Sequence, residues 1–280
     1  MGASFPFNHL VRFENESGEV KYGEVVPESL NSLVGSTVEV YDGDVPWDPS
    51  FMRSGKKDIV QKVLAPLPRV PIFICVGLNY KAHAVETKTK IPEFPILFNK
   101  PAGPTDDIPI DKDAQFLDYE GELCIVIGKR CKNLSETEDP FDYVLGFTVG
   151  NDVSSRYWQM PDRSGQQAGY SKSFDNFAPL GPVICSTAQI PAPDRLTLVT
   201  TVNGVERQKS SIEDLIFSVR DIIKFAARGH TLEPGTVIMT GTPSGVAAFM
   251  QPPAWLQDGD IVEVDIDGIG KISNKMVFEK

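Results

Sequence analysis

Residues 118–128 read Asp-Tyr-Glu-Gly-Glu-Leu-Cys-Ile-Val-Ile-Gly, and this run constrains the chain more than any other. Its second half is apolar without interruption, the pattern of a strand buried on both faces. Its first half places carboxylates at alternate positions, Asp118, Glu120 and Glu122. Strand side chains alternate faces, so the three point to the same side. Carboxylates entering an apolar strand on one face lose hydration and repel one another. Two arrangements relieve that cost: a bound cation neutralises them, or the polar face lies on a sheet edge in water. The spacing alone leaves both open.

The rest of the chain is ordinary enough to leave that run as the anomaly. Of 280 residues, 41% are hydrophobic and 23% charged. A core of normal size forms without a disulfide or metal staple. The formal net charge is -11, with Lys and Arg scattered, which argues against a nucleic-acid partner. Cys75, Cys124, Cys131 and Cys185 form no C-x-x-C pair, and we expect all four reduced. The N-terminus lacks a signal-peptide core, Pro6 stands where a myristoylation motif wants Ser or Thr, and no apolar run spans a membrane. A cytoplasmic location is expected, with a mitochondrial one left open.

The pattern predicts an α+β, β-rich chain. Residues 1–68 read as a small N-terminal β-containing domain, ending in the linker Ala65-Pro66-Leu67-Pro68, and residues 69–280 as a larger β-rich domain. Residues 8–42 suggest short strands turning at Ser17-Gly18, and residues 47–62 a short helix. PIFICVGLNY, PILFNK, GELCIVIG, VLGFTVGND, PVICS, LTLVTTVNG, TVIMTG and DIVEVDIDGIG read as further strands, with Asn203-Gly204 the strongest hairpin signal. One helix is predicted from Ile212 to Ala226, capped by Ser210 with Glu213 and closed at Gly229.

Other residues offer chemistry, each with a plainer reading beside it. Asp152 follows an apolar strand, and with Glu120 and Glu122 it makes a hard oxygen donor set suited to Mg²⁺ or Mn²⁺; alone it reads as a turn or cap. His83 and Glu86 share a helical face, so Glu86 can fix the imidazole as a base, although such pairs are common on exposed helices. Lys172, flanked by Phe174 and Phe177, is either a desolvated acid or a surface lysine. Arg156 and Gln159 either orient a carboxylate or form a solvated face. Thr240-Gly241-Thr242-Pro243-Ser244-Gly245 is either an anion-binding turn or a plain one.

In order along the chain, these segments resemble the fumarylacetoacetate hydrolase superfamily. The set is Gly77-Leu78-Asn79-Tyr80 with His83 and Glu86, Phe98-x-Lys100-Pro101, Asp118-Tyr119-Glu120-x-Glu122, Asn151-Asp152 with Arg156, Trp158 and Gln159, Lys172-Ser173-Phe174-Asp175, and Thr240-Gly241-Thr242-Pro243-x-Gly245. The likeness extends over residues 71–280. It implies a mixed β-sandwich roll (the family's C-terminal-domain fold) and a homodimer. It implies Mg²⁺ or Mn²⁺ at Glu120, Glu122 and Asp152, a water-activating dyad in His83 and Glu86 on a lid segment, and a catalytic lysine in Lys172. Arg156, Gln159, Thr242 and Tyr80 take substrate-contacting roles. Gly121 departs from the Val often found between the two glutamates, and Asp118 matches a position not usually counted as a ligand.

The expected function is divalent-metal-dependent chemistry on a small 1,3-dicarbonyl or 2-oxo acid through a metal-bound enolate. Hydrolytic carbon–carbon cleavage of an acylpyruvate- or fumarylacetoacetate-type substrate is the leading expectation. Keto–enol tautomerisation of oxaloacetate and β-keto acid decarboxylation are the alternatives, since one fold hosts all three. A non-catalytic ligand-binding protein is the reading from another class, and the intact set of ligands, dyad and lysine argues against it.

Overall fold

The computed structural model of the chain describes residues 5–100, 107–165 and 167–279. The segment before residue 68 contributes β1 (His9–Glu14), β2 (Val20–Glu24), β3 (Thr37–Asp42), β4 (Met52–Ile59) and β5 (Lys62–Leu64). Then come β6 (Phe73–Gly77), β7 (Ile96–Lys100), β8 (Ile108–Ile110), β9 (Leu117–Asp118), β10 (Gly121–Ile127) and β11 (Val144–Asn151). The remaining strands are β12 (Ser154–Ser155), β13 (Leu180–Cys185), β14 (Thr197–Val202), β15 (Val205–Ser211), β16 (Val237–Met239), β17 (Ile261–Ile266) and β18 (Gly270–Phe278). The α-helices are short: α1 (Lys81–Glu86), α2 (Arg156–Gln159), α3 (Pro161–Ser164) and α4 (Val219–Ala226). This is the β-rich architecture with few helices that the sequence predicts.

Eleven strands form one mixed sheet in the order β4-β3-β2-β1-β13-β11-β10-β16-β6-β7, with β5 also on β1. The strands before residue 68 therefore join the later ones through the antiparallel β1–β13 pair. A five-stranded sheet, β15-β14-β17-β18-β8, forms the second layer, and β9 pairs with β12 alone. In the second layer β14, β17 and β18 alternate buried and open residues, because one face meets the core and the other water. By contrast β10 is buried along its whole length. Leu123, Ile125 and Ile127 belong to the same apolar cluster as Leu198, Val262, Val264 and Ile266 of the second sheet. Cys124 and Val126 face the other way, toward Leu10, Phe73, Leu145 and Met239. Each fully buried Leu or Ile contributes roughly 1.5–3 kcal/mol relative to exposure, so the cost of this strand is concentrated at its polar start. All four cysteines are buried and free.

The Asn203-Gly204 turn joins β14 to β15 with both residues at positive φ, 51° and 76°, as a two-residue hairpin requires. Two sequence expectations are corrected. Within residues 47–62 the structure places β4, not a helix. That stretch has no apolar stripe to pack a helix, whereas its backbone completes the edge of β3. The predicted helix from Ile212 is interrupted. A 3₁₀ turn covers Ile212–Asp214, and α4 starts only at Val219, capped by Ser218 with Asp221 in a capping box. Between them the Ile216 N–H donates to the Asn79 carbonyl (2.7 Å) and the Phe217 N–H to Asn79 Oδ1 (2.9 Å). Those donors are unavailable to a helix, so the periodic apolar pattern spans two elements.

Candidate active site

The pairing of β10 with β11 builds the centre of the site. Asn151 Oδ1 accepts the Glu120 N–H (2.9 Å), and the Asp152 N–H donates to the Glu120 carbonyl (2.9 Å). Glu120, Glu122 and Asp152 are thereby gathered, all buried, each with a carboxylate oxygen within 4.8 Å of the others'. Glu122 shares the face of Cys124 by strand alternation.

Three cations reach these carboxylates, and they divide unevenly. Lys172 Nζ donates to Glu120 Oε2 (2.8 Å) and Asp152 Oδ2 (2.5 Å). Lys100 Nζ donates to Asp152 Oδ1 (2.6 Å) and to the Phe177 carbonyl. Arg156 bridges Glu120 Oε1 (2.7 Å) and Asp118 Oδ2 (2.8 Å) and also donates to Gln159 Oε1 (2.8 Å). Asp118 is completed by the N–H groups of Ala247 (2.7 Å) and Ala248 (3.1 Å). Glu122 takes only the Gly241 N–H (2.6 Å), and among the described residues no cation pairs with it.

The titration follows from that division. Burial raises the Glu120 carboxyl, but Lys172 and Arg156 outweigh it and hold the group at about 2. Burial raises Glu122 too, and there Asp152 and Glu120 add repulsion, so its pKa lies well above the ordinary value. Burial pulls Lys172 down, yet Asp152 and Glu120 outweigh it and keep the ammonium charged. A carboxylate trio in which one member is still pushed up after the other two recruit cations is short of positive charge. Its all-oxygen donor set fits a hard divalent cation, so Glu120, Glu122 and Asp152 can hold one.

His83 brings the dyad to a cavity that Glu120 of the trio also lines, while Glu86, Glu122 and Asp152 stand behind its wall. His83 and Glu86 lie on α1, with Nδ1 2.7 Å from Glu86 Oε2. Glu86 Oε1 accepts the Gly245 N–H (2.9 Å), so both carboxylate oxygens are engaged. Phe249 packs edge-on to the imidazole, 6.0 Å between ring centres. The cavity holds about 280 Å³ and is lined by His83, Glu120, Arg156, Gln159, Gln167, Lys172 and Thr242, with Val76, Ile96 and Phe98 forming an apolar wall. A larger recess of about 360 Å³ beside Pro193, Ile212 and Arg220 gathers no comparable set of groups.

Most residues singled out from sequence thus meet in one place. Tyr80 does not reach the cavity. Its extended backbone starts α1 and bridges to Leu215, which closes its ring in the core, fully buried and, among the described residues, with no partner for the hydroxyl. Lys172 is not a surface lysine but 4% exposed on a 3₁₀ turn. Pro101 of the Phe98-x-Lys100-Pro101 motif lies outside the described residues. Sequence reasoning assigned no role to Lys100, which holds Asp152, or to Asp118, which holds Arg156. The available signal for Lys100 was a lysine closing an apolar strand, and for Asp118 its shared parity with Glu120 and Glu122.

A buried acidic trio that can hold a metal ion, beside a His–Glu pair and carried on a two-sheet β fold, is the arrangement to compare with known enzymes. The family described as "Fumarylacetoacetate (FAA) hydrolase C-terminal" matches residues 72–277, and the chain belongs to that family. Among curated relatives, the "Oxaloacetate tautomerase fahd2, mitochondrial" of Xenopus laevis is 43% identical over 219 residues, covering 77% of this chain and 68% of that protein. The fumarylacetoacetate hydrolase domain-containing protein 2 homolog of Dictyostelium discoideum is 41% identical over 77% of this chain and 74% of its own length. Among solved structures, 5-carboxymethyl-2-hydroxymuconate delta-isomerase from Mycobacterium smegmatis superposes with a TM-score of 0.80 at 31% identity, covering 97% of this chain and 100% of that one. Among the described residues, no helix is long and apolar enough to cross a membrane.

Proposed function

We propose that this enzyme is a keto–enol tautomerase of a small 2-oxo dicarboxylic acid, oxaloacetate foremost, working with Mg²⁺ or Mn²⁺ at Glu120, Glu122 and Asp152. The observation that carries this choice is the relationship to proteins named oxaloacetate tautomerases, at 43% identity across 77% of the chain. It favours tautomerisation over the hydrolytic cleavage that the family resemblance first suggests. The divalent ion supplies Lewis-acid stabilisation of negative charge on substrate oxygens.

The chain's own residues do the proton work. With Nδ1–H donating to Glu86, His83 Nε2 is left as an acceptor, suited to take a proton from the carbon between two carbonyl groups or return it. Lys172 has three N–H donors, and Glu120 and Asp152 take two. The third can donate to the substrate oxygen as it becomes an enolate or enol. Arg156 and Gln159 stand in the cavity wall as donors for a carboxylate. The apolar wall of Val76, Ile96 and Phe98 lowers the local dielectric and strengthens these contacts. We also propose a homodimer, which light scattering distinguishes from a 30.8 kDa monomer.

The test starts from enol oxaloacetate in ¹⁸O-labelled water with Mg²⁺ present, with an enzyme-free control for carbonyl exchange. Accelerated enol-to-keto conversion with an intact carbon skeleton is expected. Carbon–carbon cleavage of an acylpyruvate, with label in the new carboxylate and no acceleration of the oxaloacetate equilibrium, rejects the proposal in favour of hydrolysis.

A further inference from the structure

The strand that carries Glu122, and that Glu120 immediately precedes, lacks a neighbour along part of one edge. β10 is paired with β11 from Gly121 to Ile127, but with β16 only from Cys124 to Val126. Beyond that point the polar groups of the strand need other partners. The Leu123 carbonyl takes the Thr240 N–H (3.1 Å) and hydroxyl (2.9 Å). The Gly121 carbonyl takes the Thr242 hydroxyl (3.1 Å). The Gly121 N–H, between the two glutamates, donates to Gln208 Oε1 (3.0 Å) from the second sheet.

Gln208 is delivered there by a bulge. Thr200 pairs with Gln208 and Thr201 with Glu206, so Arg207 is an extra residue in β15. Bulges re-aim the side chains beside them. Gln208 is 1% exposed on an otherwise open strand. The bulge sits close against the site: a Cβ on Gly245 would lie 2.1 Å from the Arg207 carbonyl oxygen, at a φ of +101°. A Cβ on Gly121 would meet Thr200 Oγ1 at 2.2 Å and Gln208 Oε1 at 3.3 Å. A valine between the two glutamates would clash first with Thr200 and also press on Gln208, so glycine there lets the second sheet approach this closely.

The amide completes a ring of donors. Since its oxygen must face the Gly121 N–H, its nitrogen faces the other way and donates to Thr242 Oγ1 (2.8 Å) and the Pro243 carbonyl (3.0 Å). The Thr242 proton is then spent on the Gly121 carbonyl, and what Thr242 presents to the cavity is a lone pair. Gln208 touches no residue of the dyad and does not line the cavity.

We propose that Gln208 is a positioning residue that sets the affinity of the carboxylate trio for its divalent ion. It fixes the peptide between Glu120 and Glu122 and locks that peptide to Thr242. The inference rests on the metal reading of the trio. Residues that support a metal ligand typically change affinity ~10–100-fold.

The test compares wild type with Gln208→Met and Thr242→Val, which break the same ring from opposite sides. Mg²⁺ affinity is measured by calorimetry, melting by circular dichroism, and tautomerase turnover against Mg²⁺ concentration. Expected is a loss of Mg²⁺ affinity on the order of 10-fold in each variant. The double variant should be little worse than the weaker single one, and for Gln208→Met turnover should be largely restored at saturating Mg²⁺. A purely packing role lowers the melting temperature and leaves Mg²⁺ affinity alone, and that result overturns the inference. Should Gln208→Met fail to fold, Thr242→Val decides alone, with unchanged affinity overturning it. A wild type that binds no divalent ion overturns the metal reading itself, and this inference with it.

Discussion

The Glu24 cluster, in the strands before residue 68, and the Glu122 cluster, at the start of β10, are made from the same groups and end in opposite states. Glu24 accepts the N–H groups of Asn8 (3.1 Å) and His9 (3.0 Å), the Tyr41 hydroxyl, and Arg53 Nη2 (3.1 Å). One carboxylate meets donors on all sides, and Arg53 is half open to water. Around Glu122, four buried carboxylates, counting Asp118, share Lys100, Lys172 and Arg156. Every one of them except Glu122 is in contact with a cation. Charge in a protein is therefore read by its partners: a saturated carboxylate is a fastener, and one left short among like charges is a binding site in waiting.

The largest test of that contrast is Glu122→Gln. It removes the one carboxyl whose ionisation the cluster does not neutralise, and Mg²⁺ affinity measured by calorimetry should fall by more than the ~10–100-fold typical of supporting residues. The metal-free melting temperature should hold or rise. A folded variant with unchanged Mg²⁺ affinity takes Glu122 out of the ligand set. His83→Ala comes next. Turnover should drop on the order of 100-fold or more, the usual scale for losing a general base, while Mg²⁺ affinity stays put because the imidazole is not among the three carboxylates.

A smaller effect concerns pH. Glu122 binds its proton more tightly in the folded chain than unfolded. Its contribution to stability is complete below the ordinary glutamate value of 4.5 and is lost as pH rises through the higher folded value. Glu120 runs the other way, contributing above the ordinary value and losing that contribution as pH falls toward about 2. In metal-free protein, melting of wild type relative to Glu122→Gln should decline as pH rises from weakly acidic to neutral, and saturating Mg²⁺ should abolish the decline. A flat difference across that range shows that Glu122 is not strained.

Much of this site is legible in the sequence because strands obey a strict two-residue period. The parity of Asp118, Glu120 and Glu122, the apolar run behind them, and the spacing of His83 and Glu86 need no tertiary knowledge. The roles of Lys100 and Gln208 were invisible for a physical reason. Lys100 closes an edge strand and finds Asp152 across 52 residues; Gln208 reaches Gly121 across 87. No local pattern encodes either meeting. The interrupted helix fails in the same way: its apolar spacing is real, but Asn79, far away in sequence, takes the donors that would have continued it. Tyr80 shows the reverse error, a residue set beside the dyad by sequence yet turned into the core by the start of α1.

The smallest prediction makes the same chemical change in the other cluster. Glu24→Gln keeps one carbonyl oxygen for the Asn8 and His9 amides, and its new NH₂ can donate to Tyr41, whose hydroxyl also reaches the Pro6 carbonyl (3.0 Å). What disappears is the charge on the acceptor and the bond from Arg53 Nη2, which the new NH₂ cannot accept; that half-open ion pair adds little of its own. Hydrogen bonds to charged groups exceed neutral ones by about 1 kcal/mol, so that is the expected loss in stability, seen as a small drop in melting temperature. Burial and then the bond to Glu24 hold the Tyr41 hydroxyl far above its usual range, so it stays a donor throughout, and the loss should not depend on pH near neutrality. Mg²⁺ affinity should not move. Thus one substitution, Glu to Gln, destabilises where the carboxylate is saturated and relieves strain where it is not. If Glu24→Gln and Glu122→Gln shift metal-free melting in the same direction and by the same amount, the distinction between fastener and binding site fails, and the raised pKa of Glu122 needs another cause than the carboxylates beside it.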